Sequence, residues 1–449
     1  MMVRVLVPSG ALGLGYDKDA LARAVAAAPD LIAIDGGSTD SGPSYLGRGV
    51  SKYARAATKA EWRGLIEARA IAGVPLVIGT AGTCGADSAV DWLYDITVEI
   101  LHELGQTARI AVLKSGQPAA RIKSALAAGG ITPLPHAPDI DADVIDACTH
   151  IVALAGAEQI AAALDTGADI VIAGRTTDTA IIAALPIMRG DHTGAAWHGA
   201  KIGECGALCA TNPQSGVILV DFDATGFIIT PMAEGAHATP HTVSAHMLYE
   251  NSDPFILFEP GGHLDVTHAR YSALDDTRVR VEGSVWVPSD RYTVKLEGAR
   301  ITGYQTVVMA LLRDRRYVTH VQAWCDDIAA KHAAKVADRL GDIAYGLELR
   351  IIGQDATLGA LENRAADLVE VGVMAVVTAP DQATANDIAK LLNPYLLHHP
   401  LTRDEEQPTF AFPFSPAEID RGAAYEFCLN HVMTLADPMD AFTLEVRDV

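Results

Sequence analysis

The chain has 449 residues, 49% hydrophobic and 20% charged, with 34 Lys+Arg against 56 Asp+Glu and a formal net charge of −22. That is enough apolar material for two or three domains, and no basic run exists to neutralise phosphates, which argues against a nucleic-acid binder. Six cysteines are too sparse for a disulfide scaffold, residues 1–7 lack a signal-peptide layout, and no apolar stretch reaches the ~18 residues of a membrane span, so a soluble cytoplasmic protein with no membrane partner is expected.

Short apolar runs recur at 3–7, 31–34, 75–78, 109–113, 151–154 and 170–173. They lack polar alternation, as strands buried on both faces do. Between them lie helical stretches at 17–28, 58–72 and 87–104, the last two followed by Gly73 and Gly105 in the position of a C-cap. The alternation predicts an α/β domain over residues 1–216, built as a parallel, doubly wound sheet. From 217 the texture changes. Residues 217–221 and 227–230 flank a turn at Asp223-Ala224-Thr225-Gly226, and 278–282 and 291–295 alternate, so 217–304 reads as β-rich. Residues 305–449 carry the order β-α-β-β-α-β, which predicts a ferredoxin-like α+β domain.

In a doubly wound sheet, ligands bind beyond the carboxyl ends of the strands. Four glycine-rich loops follow predicted strands: Gly10 to Gly15, Asp35 to Pro43, Gly79 to Asp87, and Gly174 to Thr179. Glycines let the backbone approach a ligand, and successive N–H groups cradle anions. The substrate-binding set expected from these loops is Gly13, Asp35, Gly37, Ser38, Thr39, Asp40, Gly82, Thr83, Asp87, Arg175 and Thr176, with the Arg175 fork holding a small anionic group. The dinucleotide fingerprint is not met, because the glycines at 10, 13 and 15 have reversed spacing. Asp35 lies twenty residues past Gly15 but opens a second glycine loop. No phosphate-binding G-x-x-x-x-G-K-[ST] run occurs, and the cofactor stays unassigned.

The block from Trp197 to Ala207 sets His198, Lys201, Glu204 and Cys205 among glycines. Glu204 is the candidate general acid or base, assisted by His198 or Asp178. Cys205 is a candidate nucleophile if His198 or a helix terminus lowers its pKa. The run is too glycine-rich to predict a helix interior. His192, His198 and Glu204 match no ligand spacing, and no metal is assigned. His237, His241 and His246 read as surface or packing groups. Glu259-Pro260-Gly261-Gly262 and Lys295-Leu296-Glu297-Gly298 read as polar turns able to act as a lid.

Several of these motifs resemble the acyclic terpene utilisation (AtuA-like) family: Lys201-Ile202-Gly203-Glu204-Cys205-Gly206-Ala207, Gly174 to Ala180, Ser244 to Pro254, Arg278-Val279-Arg280-Val281, Lys295, and the glycine-rich start with Asp17. The resemblance runs over roughly residues 3–310 and is weaker in the C-terminal third. It implies a place in the breakdown of citronellol- and geraniol-type chains, beside branched acyl-CoA chemistry. Together these readings lead to a small-molecule catabolic enzyme acting on a small carboxylate or acyl-CoA by acid–base chemistry, as a hydratase, lyase or isomerase, and as a homo-oligomer. Two alternatives stand beside it: a hydrolase using Cys205, and a non-catalytic module that binds an anionic ligand.

Overall fold

The computed structural model describes residues 2–190, 192–364 and 367–449. The chain is mixed α/β and forms two compact units, residues 1–300 with 427–449, and residues 301–426.

The first unit is built on a large mixed sheet. Its centre is parallel: Val3–Val7, Leu31–Asp35, Leu76–Gly79, Ile170–Ala173 and Arg109–Lys114 lie side by side in that order. Alternate residues of these strands feed two cores. Val3, Val5, Val7, Leu31 and Ala33 pack into one, and Leu6, Ile32 and Ile34 into the other. This is why the strands read as unbroken apolar runs.

Both flanks are antiparallel. Ile218–Phe222 pairs with Val3–Val7, and Gly226–Pro231 follows as the expected hairpin. On the far side Thr443–Asp448 pairs with Arg109–Lys114. The purely parallel sheet expected from the sequence is therefore corrected to a mixed one. The apolar run at 151–154 is a second correction. It forms Cys148–Ala153, which pairs antiparallel with residues 296–300 and lies outside the large sheet. Its first residues are only partly buried, so it is not covered on both faces as a central parallel strand is.

A further difference lies at Thr193–Gly203, which is an α-helix despite its glycines. Every residue of that helix after Thr193 is buried. A Cβ on Gly199 would come within 2.5 Å of the Phe222 ring, and one on Gly203 within 3.0 Å of Val220. Close packing demands small residues here and outweighs their poor helix propensity of roughly 1 kcal/mol each.

In the second unit the helix Val321–Leu340 is followed by the strands Gly346–Ile352 and Val371–Ala379 and then by the helix Gln382–His398. Val371–Ala379 pairs antiparallel with residues 304–312 and with Gly346–Ile352. Val308, Trp324, Ile328, Val373, Val377, Ile388 and Leu392 belong to its own core.

Candidate active site

The loops after the parallel strands are stitched to one another through their backbones. The Leu12 amide donates to the Asp35 carbonyl, Gly36 to Gly79, and Thr80 to Gly174, each at 2.8 Å. Two glycines are required by these approaches. A Cβ on Gly36 would lie 2.3 Å from the Thr80 carbonyl oxygen, and one on Gly85, whose φ is +64°, 2.2 Å from the Arg175 nitrogen. Thr80 and Thr83 hold left-handed φ values of 43° and 70° without being glycine, and Glu250 holds 51°. Such strain persists where the surroundings over-determine the backbone, as at functional sites.

Arg175, 7% exposed, lies at the centre. Its Nε donates to Glu297 Oε2 at 3.0 Å and its Nη2 to Oε1 at 3.4 Å. Nη1 donates to Thr80 Oγ1 and to the Thr176 carbonyl, both at 3.2 Å, and Nη2 reaches Thr39 Oγ1 at 3.4 Å. A guanidinium has five N–H donors, so the chain itself engages the whole fork that was expected to hold a substrate anion. Thr39 and Lys295 also bond Glu297, at 3.1 and 3.0 Å. Burial works against the Glu297 charge, but Arg175 and Lys295 overcome it and hold the carboxyl at about 2.

Around this pair stand carboxyls driven the other way. Burial raises Asp35 well above its ordinary range, and the Asp178 charge adds to the effect. Its Oδ2 accepts from the Gly37 amide at 2.9 Å, while Oδ1 is buried without a partner. Burial lifts Asp178 to about 6, against the pull of Arg175. Burial likewise lifts Glu204 to about 8, although Lys201 Nζ lies 2.5 Å from its Oε1. Glu259 reaches about 7 through burial; one of its oxygens accepts from the Thr179 hydroxyl and the other, Oε2, is buried and unpartnered. Lys201 and Glu204 fall on one face of the Thr193–Gly203 helix end, at the i,i+3 spacing. The Tyr249 ring lies 5.8 Å from the Lys201 ammonium and stacks on His246 at 5.3 Å.

The structure thus brings together Asp35, Gly37, Thr39, Asp178, Arg175, Thr176 and Glu204, and gives the side chains of other expected residues different partners. His198 is fully buried, with Nδ1 2.8 Å from Ser284 Oγ and Nε2 3.0 Å from Tyr271 Oη. Burial lowers it to about 3, so it is a neutral core ring. The amides of Gly13 and Gly15 both donate to Glu61 Oε2, at 2.8 and 3.2 Å, so this glycine loop already cradles a carboxylate of the chain. Asp87 accepts from the Gly116 amide in a separate cleft with Gln117 and His150. Ser38 caps the turn that holds the exposed Asp40. The Gly37 Cβ position lies against Thr83, Gly82 packs on Ala89, and the Thr83 hydroxyl accepts from the Lys52 amide at 3.1 Å. Thr176 is buried with its hydroxyl unpartnered.

Cys205 is half-buried, and burial with the Glu204 and Asp178 charges pushes its thiol up. The imidazole near it is His246, not His198. His192 caps the start of the Thr193–Gly203 helix and Glu204 closes its end. The twelve residue steps between them at ~1.5 Å each separate their backbones by roughly 18 Å along the helix axis, so they share no metal.

Sequence reasoning missed Glu259, Lys295, Glu297 and His246 as site residues. Signals existed for three of them. Glu259 stands beside the Pro260-Gly261 turn, and Lys295 and Glu297, expected in a turn, lie two apart on a strand, which puts them on one face.

Residues 76–411 match the family described as acyclic terpene utilisation family protein AtuA. The match begins after the first two glycine loops and runs through most of the C-terminal third, further than the motif resemblance reached. No curated protein and no solved structure matches the chain.

Proposed function

The chain belongs to the acyclic terpene utilisation family, and on that premise we propose that it is a catabolic enzyme acting by general acid–base chemistry on a branched acyclic acyl compound, a carboxylate or its CoA thioester. Asp178, Glu204 and Glu259 are the proton-transfer groups, and Lys201 steadies the ionised form of Glu204. The observation that carries this reading is the convergence of these three carboxyls on one buried ammonium, with Glu259 Oε2 and Asp35 Oδ1 unpartnered beside them. Carboxyls crowded out of water sit near neutrality, where an acid or base works best at physiological pH.

Lysine, rather than arginine, meets the substrate here. The Arg175 fork is engaged by Glu297 and acts as the post that fixes the 174–179 loop. An apolar cavity of about 370 Å³ is lined by Met247, Leu248, Phe255, Val266, Ala269 and Tyr271. Its lining contains none of the carboxyls, but the turn that supplies Met247 and Leu248 also carries His246 and Tyr249 to Lys201 and Glu204. That suits a substrate with a hydrocarbon tail and a polar head. Addition or loss of water makes or breaks one C–O bond with a proton moved at the neighbouring carbon, and migration of a double bond needs only proton transfers, so these carboxyls fit a hydratase, lyase or isomerase. A thiol pushed up by burial and by neighbouring carboxylates is a poor nucleophile, which disfavours the Cys205 hydrolase.

In this reading the parallel core with cores on both faces is doubly wound. The order of strands and helices in the second unit supports the ferredoxin-like arrangement.

Thermal-shift screening of branched acyclic alcohols, carboxylates and acyl-CoAs, followed by turnover of the best binder, tests the proposal. Glu204→Gln and Asp178→Asn should keep binding and lower turnover ~10²–10⁴-fold. Full turnover in both variants sinks the acid–base assignment.

A further inference from the structure

Glu204, Cys205 and His246 each offer one ligating atom, and these atoms all lie within 4.8 Å of one another. His246 is 5% exposed, and its Nε2 has no hydrogen-bond partner. A buried imidazole nitrogen left bare carries an uncompensated desolvation cost, which a ligand at that nitrogen relieves.

We propose that Glu204, Cys205 and His246 form a binding site for a divalent transition-metal ion of zinc type. One oxygen, one sulfur and one nitrogen make a borderline-soft set that suits zinc, cobalt or iron(II) and disfavours magnesium and calcium. Metal–ligand bonds of ~2.0–2.3 Å place tetrahedral ligands roughly 3.3–3.8 Å apart, so the three side chains close in by about an ångström on binding. Three protein ligands leave a fourth position open, as in catalytic rather than structural zinc sites. Lys201 holds Glu204 by one oxygen, and the carboxylate then bridges the ammonium and the metal. Binding displaces the thiol proton and any proton on Glu204 to solvent. With the metal bound, Glu204 acts as a ligand and the proton transfers assigned above rest on Asp178 and Glu259, while the open position would take water or a substrate carbonyl oxygen.

The inference rests on the acid–base reading only for the location of the pocket, and its test is independent of turnover. Full-length protein stripped with a chelator is titrated with cobalt(II) alone, with circular dichroism checking the fold of each variant. Wild type should bind one equivalent with a thiolate-to-cobalt charge-transfer band. Cys205→Ser should lose that band, and His246→Asn should bind at least ~10-fold more weakly, a loss that even residues one step removed from a metal produce. If His246→Asn does not fold, wild type and Cys205→Ser decide. Absence of the band in wild type, or the same band and affinity in Cys205→Ser, overturns the site. Either result leaves the acid–base reading standing, whereas a metal-loaded protein inert to every branched acyl compound overturns that reading and keeps the metal.

Discussion

Arg175 and Glu297, 122 residues apart, face each other fork to fork, with Nε–Oε2 at 3.0 Å and Nη2–Oε1 at 3.4 Å and both side chains less than 10% exposed. Removing one partner of such a pair strands a buried charge and costs roughly 3–5 kcal/mol, whereas replacing both with apolar groups is often neutral. Arg175→Met should therefore lower the urea-unfolding free energy by about that amount, and Arg175→Met with Glu297→Leu should restore most of it. If the double variant is no better than the single one, the pair is not the post that fixes this loop.

Glu259 predicts a trade of stability against activity. Its folded value of about 7 lies above the ordinary 4.5. A raised carboxyl keeps its full stabilising proton below pH 4.5, and stability is lost as pH rises towards 7, up to ~3 kcal/mol by linkage. Glu259→Gln keeps the shape without the charge. It should be more stable than wild type at pH 8, equal to it near pH 4, and slower in turnover. Matched stability curves at both pH values would show that Glu259 ionises freely in the fold.

His198 works in the opposite direction. Its ring sits at about 3 in the fold against 6.5 when unfolded. Between those values the unfolded chain takes up a proton that the folded ring refuses. Its contribution is intact above pH 6.5 and drains away as pH falls towards 3. Wild type should lose about 2 kcal/mol more than His198→Gln between pH 7 and pH 5, read by urea titration at each pH. Parallel losses would mean that Ser284 and Tyr271 accommodate a charged ring.

Two glycines with the same φ should respond differently to alanine. Gly85 and Gly105 have φ values of +64° and +63°, but only Gly85 has the Arg175 backbone where a Cβ would stand, whereas Gly105 faces open space. Gly105→Ala should cost only the left-handed conformation, about 1 kcal/mol. Gly85→Ala should cost distinctly more and should also lower turnover, because Arg175 must shift. Equal melting points for the two variants would remove the close approach from the argument.

The sequence by itself determined the parts of this protein that depend on local pattern. Runs such as 31–34 and 170–173 are strands because no other element buries unbroken β-branched and leucine residues on two faces in so short a span. The glycine loops after them had to meet at one rim, and Asp35, Thr39 and Arg175 do meet there. Tertiary structure alone decided what those residues face. Glu297 and Lys295 arrive on a strand more than a hundred residues further on, Glu259 on a small antiparallel sheet, and His246 on a short helix. Each was read as a surface or lid residue because the charge that gives it a role lies far away in sequence. The glycine-rich run at 193–203 became a helix for a similar reason. Its propensity is local, but the packing against Phe222 and Phe227 that selects small residues is not. Pairing across the fold turned Arg175 from a free clamp into a buried post and set Glu204 beside Lys201 at 2.5 Å, with two further carboxyls nearby. Charge and burial act through space, so a residue's titration and its partners are settled only once the chain has closed on itself.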